Sequence, residues 1–192
     1  MHASLSGTTR VEPAAAPPAG PAGNLHLRLL AVGALVGWVP NFVASRVRTQ
    51  ALRAAGIKIG EATVFFGLPS LVGSGPVHRR LTIGEHCGFN KGAFFDLEAA
   101  ITLGNHVAVG HDVMFITSDY ERGPALRRAG VRRAAPIVIG DGVWLGARAT
   151  VMPGVTIGAG SVISAGVTVT QDVPENSLLT GTQRVSIARW RA

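Results

Sequence analysis

The chain has 192 residues, of which 47% are hydrophobic and only 15% charged, so it can bury one sizeable core and leaves little room for a second domain. Its 25 glycines and 6% aromatic residues favour a core of small side chains over a sandwich or a helical bundle. The single cysteine, Cys87, excludes an internal disulfide framework and has no partners at metal-ligand spacing. We therefore expect a buried, inert thiol, no bound metal and a reducing, cytoplasmic setting.

Residues 1–24 form a tail rich in Pro, Ala and Gly. Such a composition buries too little apolar surface to offset the entropy lost on ordering, so disorder is expected. The tail also lacks the basic start and the apolar run of a secretory signal, so no cleaved leader is predicted.

Residues 25–56 form a predicted helical segment, which Pro40 divides into two short helices. The apolar run before Pro40 is about eleven residues long, well short of the roughly 20 that cross a bilayer. Packing over one end of the domain that follows is the favoured interpretation. A peripheral contact of residues 25–55 with a membrane surface, helped by Arg46, Arg48 and Arg53, is the alternative.

Residues 57–178 are organised by a six-residue repeat. It runs unbroken from Ile139 to Pro174, as IGDGVW LGARAT VMPGVT IGAGSV ISAGVT VTQDVP. An aliphatic residue opens each hexad and a small or β-branched residue follows four positions later, a period that fits neither a helix nor a simple strand. Three hexads are expected to form one triangular turn, with the aliphatic openers stacked into a narrow core. The predicted fold is therefore an all-β solenoid, a parallel β-helix.

The corners and interruptions of this repeat carry their own predictions. We interpret the following glycines, at the second hexad position and at later corners, as residues with unusual backbone dihedrals: Gly140, Gly146, Gly158, Gly142, Gly154, Gly160 and Gly166. Residues 67–80 and 117–135 lack the hexad pattern and are predicted to be surface loops. The second is long for a loop that leaves a regular coil, which indicates a function.

The hexads and the ejected loop resemble the hexapeptide-repeat acyltransferases, particularly the galactoside, maltose and nodulation-factor O-acetyltransferase branch. The resemblance covers roughly residues 57–185, and its core is the run from Pro136 to Pro174. It implies a left-handed β-helix and acetyl-CoA as the acyl donor. It also implies a hydroxyl acceptor on a sugar, glycosylated product or other natural product, and a homotrimer with its sites between subunits.

In this family the ejected loop carries a catalytic histidine, and that position falls on Tyr120 within the letters ITSDYERGPALRRAG. A tyrosine ordinarily titrates near pH 10 and a histidine near pH 6.5, so a tyrosine is the poorer base unless nearby arginines favour its ionised form. A role for Tyr120 as a packed or acceptor-stacking aromatic is the alternative. Among the histidines, His111 is the first substitute, ahead of His106 and His86, because the loop begins six residues after it.

The resemblance also assigns Asn90 and the cofactor contacts. Asn90 matches an asparagine that binds the acceptor hydroxyl or the thioester oxygen across a subunit boundary; a corner asparagine bonding its own backbone is the alternative. The pantetheine arm is expected along one edge of the later coils, at Trp144, Gly146, Ala147, Ala165, Gly166, Thr170 and Gln171. Gln171 replaces the family's usual lysine, and GTQRV at 181–185 replaces its Gly-x-Pro-Ala-Arg ending. Phosphate binding is therefore expected at Arg184 and the loop arginines.

Residues 179–192 are predicted to form a C-terminal tail.

Three functions other than acyl transfer are considered. The formal charge is +7, and the loop segment holds Arg122, Arg127, Arg128, Arg132 and Arg133. This cluster lacks interleaved aromatics, so nucleic acid is not expected as a partner. A catalytically silent or repurposed scaffold is the main alternative to an enzyme. A zinc enzyme resembling the γ-class carbonic anhydrases, with ligands among His86, His106 and His111, is a minor one.

Overall fold

The computed structural model describes residues 26–41 and 44–181. The tail predicted at residues 1–24 lies outside these ranges, as does nearly all of the tail predicted at 179–192, including Arg184. The described chain begins with two α-helices, α1 (Leu27–Val36) and α2 (Ser45–Ala54). Short β-strands follow and wind into a solenoid of about six turns.

Each complete turn, here called a coil, contributes three strands. In chain order the first three coils contain β1 (Lys58–Ile59), β2 (Val64–Phe65), β3 (Ser70–Val72), β4 (Leu81–Ile83), β5 (Gly88–Phe89), β6 (Phe94–Asp96), β7 (Ile101–Leu103), β8 (Ala108–Val109) and β9 (Met114–Phe115). A hairpin then leaves the coil, formed by β10 (Ser118–Arg122) and β11 (Ala129–Ala134). The winding resumes with β12 (Ile137–Ile139), β13 (Trp144–Leu145), β14 (Thr150–Val151), β15 (Thr156–Ile157), β16 (Val162–Ile163), β17 (Thr168–Val169) and β18 (Leu178–Leu179).

Strands of successive coils pair in parallel and form three faces. Face A contains β1, β4, β7, β12 and β15; face B contains β2, β5, β8, β13, β16 and β18; face C contains β3, β6, β9, β14 and β17. The register is constant, because Ile139 pairs with Leu103 on one side and Ile157 on the other. Equal hexad positions therefore stack along each face. The predicted parallel solenoid is confirmed, and its left-handed winding stays a prediction from the resemblance.

The core is the column predicted from the hexads. The openers from Ile139 to Val169 are at most 1% exposed, and the residues four positions after each of them are at most 8% exposed. Phenylalanines stack in the earlier coils, with ring centroids 4.4 Å apart for Phe65 and Phe89. Cys87 is 1% exposed within this core, and burial raises the pKa of its thiol. The prediction of a buried thiol is confirmed.

The corner glycines have two different physical reasons. Four of them take the left-handed backbone conformation as predicted, with φ of +68° for Gly142, +82° for Gly154, +68° for Gly160 and +73° for Gly166. The dihedral interpretation is wrong for the second-position glycines, which do not have positive φ. A Cβ on Gly140, Gly146 or Gly158 would instead lie 2.6, 2.5 or 2.4 Å from a backbone nitrogen of the next coil. Close approach between coils excludes a side chain there.

Both predicted loops contain regular structure. The segment 67–80 includes β3, which pairs with β6 and completes the first coil, so its prediction as a surface excursion is wrong for that strand. The flanking Pro69 and glycines conceal the hexad in the sequence. The segment 117–135 is the β10–β11 hairpin rather than an irregular loop. Its strands are antiparallel and pair only with each other.

The two helices pack over the first coil. Leu52 of α2 is 2% exposed, and the Arg48 side chain is buried beside it. Arg48 Nη2 donates hydrogen bonds of 2.6 Å to the carbonyl oxygens of both Val39 and Pro40, which fixes the link between the helices. Arg53 Nε donates to the carbonyl of Ile59 at 3.1 Å. Neither helix of the described ranges has the length and apolar content needed to cross a membrane.

Candidate active site

Each candidate residue of the described chain lies at, or beside, one of the three corners of the triangular coil, or on the hairpin that leaves one of them. Corner AB joins faces A and B, corner BC joins faces B and C, and corner CA joins faces C and A. Because equal hexad positions stack, each corner forms a continuous column along the solenoid. The β10–β11 hairpin leaves corner CA between the third and fourth coils.

Tyr120 lies on this hairpin. It is paired with Arg132 across the two strands and is 54% exposed. Its backbone nitrogen donates to Asp119 Oδ1 at 2.7 Å, while its hydroxyl makes no hydrogen bond with residues 26–41 or 44–181. The phenol is therefore available to a ligand or to another chain.

The base of the hairpin is held by the buried side chain of Asp96, at the end of β6. Asp96 Oδ2 accepts hydrogen bonds from the backbone nitrogen of Ser118 at 2.9 Å and from its hydroxyl at 2.6 Å. The hydroxyl of Thr117 donates to the Asp96 carbonyl at 2.6 Å and accepts from the nitrogen of Ala99 at 3.0 Å. These bonds fix the start of the strand that carries Tyr120.

Glu98 is a second anchor. Arg132 Nη2 lies 2.5 Å from Glu98 Oε1, and the Ser74 nitrogen and hydroxyl donate to the same carboxylate at 2.9 and 2.7 Å. Partial burial opposes ionisation of this carboxyl, but the hydrogen bonds from Ser74 and Arg132 outweigh it and hold the pKa of Glu98 below its ordinary value. Arg132, the cation opposite Tyr120, is thus paired with the carboxylate of Glu98.

The loop arginines do not all contribute free positive charge. Arg132 pairs with Glu98, and Arg133 Nε donates to Glu121 Oε1 at 2.7 Å. Arg127 and Arg128 lie exposed near the tip of the hairpin. A partner anion would therefore meet the tip rather than the whole predicted cluster.

Corner BC carries most of the predicted cofactor contacts. Gly110 and Gly146 occupy the position of Asn90 in the next two coils, since Phe89, Val109 and Leu145 are paired in series. A Cβ on Gly110 would lie 2.6 Å from the Ala147 nitrogen, and one on Gly146 would lie 2.5 Å from the Ala165 nitrogen. Contact with the next coil excludes a side chain at these two positions, as it does at the glycines of corner AB, and a corner without side chains suits the close approach of an extended arm. Gly166 ends it in the fifth coil.

Asn90 and His111 lie at the start of this column. The half-buried Asn90 side chain makes no hydrogen bond with the described part of the chain, so the alternative that it bonds its own backbone finds no support there. His111 is exposed and directly follows Gly110. Trp144, on the adjoining face B, is 57% exposed.

The remaining candidates are at another corner. Thr170 and Gln171 follow β17 of face C, so they lie at corner CA with the hairpin and with Tyr120. The single edge predicted for all cofactor contacts is thus divided between two corners. Arg184 lies outside the described residues.

One chain does not bring Tyr120 and Asn90 together. The corners that hold them are separated by face C, and the roughly six residues of one hexad span about 15–20 Å. Reacting groups must approach within about 3–3.5 Å. Within the described part of the chain no hydrogen bond joins the two side chains, and they lie at different corners.

Comparisons with known proteins agree with the hexapeptide-repeat fold. The pattern described as bacterial transferase hexapeptide (six repeats) matches residues 136–171. Nodulation protein L of Rhizobium meliloti is 40% identical over 53% of this chain, and galactoside O-acetyltransferase of Lactococcus lactis is 37% identical over 65% of it. A crystal structure of a hexapeptide-repeat acetyltransferase from Vibrio cholerae, complexed with acetyl-CoA, has a TM-score of 0.66 at 29% identity and covers 81% of this chain and 82% of that one.

The chain carries bacterial transferase hexapeptide repeats, and it is similar to hexapeptide-repeat acetyltransferases. Its relatives lie in the galactoside, maltose and nodulation-protein branch, so the resemblance drawn from the hexads is confirmed. The chain spans 56% and 59% of the length of the Rhizobium and Lactococcus relatives. The replacement of the family's histidine by Tyr120 stays a prediction from the motif.

Sequence reasoning about this hexapeptide-repeat chain missed Asp96, Glu98 and Ser118, which position the hairpin. The available signal was the two-residue slip between Phe95 and Leu103, where two acids interrupt an otherwise regular coil.

The three histidines of the zinc alternative do not come together within one chain. His86 and His106 stack at corner AB with ring centroids 5.0 Å apart, whereas His111 is at corner BC. Within 26–41 and 44–181, no three His, Cys, Asp or Glu side chains are placed to hold a metal.

The Glu98 anchor predicts a pH dependence of stability. Because its pKa is lowered on folding, its contribution is fully present above the ordinary pKa of a glutamate and is lost as the pH falls through the lower, folded pKa. Glu98→Gln should lower the thermal unfolding midpoint at neutral pH and flatten its decline between about pH 6 and pH 3. Calorimetric unfolding of both proteins across this range measures the difference.

Glu121→Gln is the matched control. Glu121 also pairs with an arginine of the hairpin, but both side chains are well exposed, so the pair should add little stability. Equal behaviour of the two glutamine variants would show that Glu98 is not an anchor.

Proposed function

We propose that the chain transfers an acetyl group from acetyl-CoA to a hydroxyl of a sugar or glycosylated acceptor. The observation that carries the proposal is the corner BC column, where Gly110 and Gly146 continue from Asn90, whose half-buried amide makes no hydrogen bond with the described part of the chain. This column offers a surface along which the pantetheine arm can lie. The column ends at the Asn90 amide, which is a hydrogen-bond donor. The named activities of the relatives and the acetyl-CoA in the Vibrio structure support it.

The active form is proposed to be a homotrimer. A site that needs corner BC of one chain and corner CA of another is a heterologous contact, and such contacts close into rings when the rotation allows. A triangular solenoid suits threefold closure. Each interface would then hold Asn90 and His111 from one chain and Tyr120, Thr170 and Gln171 from its neighbour.

The transfer follows from these groups. The acceptor hydroxyl oxygen attacks the thioester carbonyl carbon as its proton passes to a base. The Asn90 amide donates to the oxyanion of the tetrahedral intermediate. The carbon–sulfur bond then breaks, and the CoA thiolate leaves and is protonated. Two side chains are proposed as the proton acceptor: Tyr120, at the position of the family's histidine, and His111, beside the thioester end of the column.

The nucleotide phosphates are proposed to bind cations near corner CA. Gln171 is uncharged and exposed, so it supplies no ion pair. Arg127 and Arg128, exposed near the hairpin tip, and Arg184, outside the described residues, are the proposed replacements.

Binding and release assays test the function. Calorimetric titration with acetyl-CoA should give saturable binding. A thiol reagent should detect free CoA when galactosides or maltosides are added as acceptors. A chain that neither binds acetyl-CoA nor releases CoA with any hydroxyl acceptor would instead be a repurposed scaffold.

Tyr120→Phe is expected to lower kcat/KM at least about tenfold, because it removes only the hydroxyl and positioned acid-base groups contribute about 10² to 10⁴ in rate. Acetyl-CoA affinity should not change. The pH profile adds a second readout, because tyrosine side chains ordinarily titrate near pH 10 and histidine side chains near pH 6.5. A histidine base therefore gives a rate that reaches a plateau above about pH 7, whereas a tyrosine base gives a rate that keeps rising beyond it. Near-normal turnover in Tyr120→Phe would eliminate Tyr120. A large gain in Tyr120→His would favour the silent scaffold.

A further inference from the structure

Helix α1 presents an apolar face to solvent. Leu27 is 69% exposed, Leu30 57%, Leu35 68%, and Trp38, just beyond the helix, 78%. At 100° per residue, Leu27, Leu30 and Leu35 lie within one side of the helix. These four residues are here called the α1 face. Contiguous exposed apolar side chains of this size mark a binding surface rather than ordinary surface.

The opposite side of α1 is already packed. Val32 is 5% and Val36 6% exposed, and Leu29 packs against the core. The helix, LRLLAVGALV, is therefore apolar around its circumference apart from Arg28. Helices of this composition are normally covered on all sides. The interpretation that this segment simply packs over the solenoid accounts for half of the helix only.

The apolar surface continues beside the helix. A cavity of about 270 Å³ lies between α1, α2 and the first coil, and most of its lining is apolar. Leu30 belongs both to this lining and to the α1 face. An occupant of the face therefore meets a depression as well as a helix surface.

The chain segment that carries the α1 face contains basic residues and no acidic ones. Residues 26–60 contain Arg28, Arg46, Arg48, Arg53 and Lys58, and no Asp or Glu. Arg48 is buried and Arg53 donates to backbone carbonyls, whereas Arg28, Arg46 and Lys58 are exposed. The occupant must tolerate or neutralise this charge.

Charge and shape together select the occupant. A second copy of the chain would place two of these cationic segments against each other, which is unfavourable. An anionic lipid surface offers apolar chains beneath negative headgroups, and tryptophan side chains favour that boundary. The ten residues of α1 extend about 15 Å, too short to span a bilayer but sufficient to lie in its interface. We propose that the α1 face docks the protein peripherally on anionic membranes.

Vesicle sedimentation with the full chain tests the proposal. Wild-type protein should bind vesicles of equal parts phosphatidylcholine and phosphatidylserine, bind much less to phosphatidylcholine alone, and dissociate as salt is raised. Leu27→Gln with Leu35→Gln should lower the partition coefficient at least about tenfold, because two largely exposed leucines lose their burial in lipid. Arg28→Gln with Arg46→Gln should lower it about fivefold per charge.

Matched controls keep the result specific to this face. Leu126→Gln with Leu178→Gln removes two leucines that are 102% and 68% exposed but lie on the hairpin and in β18. Arg127→Gln with Arg128→Gln removes two exposed cations of the hairpin. Both control pairs should bind as wild type does.

Three outcomes would overturn the proposal. Absence of wild-type binding to the anionic vesicles is one, and equal loss of binding in a control pair is another. The third is self-association through the α1 face, seen as a change in molar mass by light scattering when Leu27 and Leu35 are replaced. Circular dichroism of each variant confirms that it is folded before its binding is compared.

Discussion

Asn90→Ala is expected to lower kcat/KM for acetyl transfer by about a hundredfold to a thousandfold, the usual loss when one oxyanion donor is removed. The Asn90 amide is half-buried at corner BC and has no hydrogen-bond partner in the part of the chain that is described. Glycine occupies the same position in the next two coils, at Gly110 and Gly146, so the fold accepts a small residue there. The loss should therefore fall on catalysis, with little change in the unfolding midpoint.

Asn105→Ala provides the matched control. Asn105 is a corner asparagine whose Oδ1 accepts a hydrogen bond from the Glu85 nitrogen at 2.9 Å, at corner AB. Its replacement should reduce stability by about 1 kcal/mol and leave kcat/KM unchanged. Steady-state kinetics and thermal unfolding of both variants separate the two roles. If Asn90→Ala lost stability and kept its activity, Asn90 would be a structural corner residue like Asn105.

The hexad pattern predicted the solenoid because each position has one fixed environment. An opener such as Ile157 meets openers of the coils on both sides, so sequence period and burial coincide. The same pattern failed where coils approach most closely. A Cβ on Gly158 would lie 2.4 Å from the Glu175 nitrogen of the neighbouring coil, and the repeat indicates which residues are adjacent but not how closely their backbones approach.

The candidate site was predicted as residue types but not as an arrangement. Motif comparison identified Tyr120, Asn90 and the glycines of the column, yet it could not assign them to corners, because a corner is defined by which face its strand joins. Thr170 and Gly166 are four residues apart and belong to different corners. The anchors Asp96 and Glu98 depend on contacts with the hairpin residues Ser118 and Arg132, which lie 22 and 34 residues further along the chain (118 − 96 and 132 − 98), and local patterns do not encode such contacts.

The α1 face marks another limit of sequence reasoning. Leu35 and Val36 are neighbours of equal hydrophobic character, but one is 68% exposed and the other 6%. Only the position of the helix on the first coil decides which side is covered. The sequence therefore left packing and membrane contact as alternatives, and the structure shows that one side of the helix is packed while the other is exposed.

The division of the site between corners predicts that two inactive variants restore each other. Asn90→Ala keeps Tyr120, and Tyr120→Phe keeps Asn90. If each site of a trimer takes Asn90 from one chain and Tyr120 from its neighbour, every mixed trimer has about one intact site in three, whichever variant is present twice. Activity of the mixed trimers should therefore rise from the low level of either variant to about a third of wild type.

Co-expression of the two variants with different affinity tags, followed by purification through both tags, gives the mixed assemblies. The same variants purified separately and combined without subunit exchange form the control and should stay at their low activity. A site contained within one chain cannot be restored by mixing, because every chain then carries a defect in its own site. Mixed assemblies with no more activity than the separate variants would therefore show that corner BC and corner CA do not meet between chains. Restoration to about one third would instead require both corners at one interface, and the hairpin anchors at Asp96 and Glu98 would then support catalysis in the neighbouring subunit.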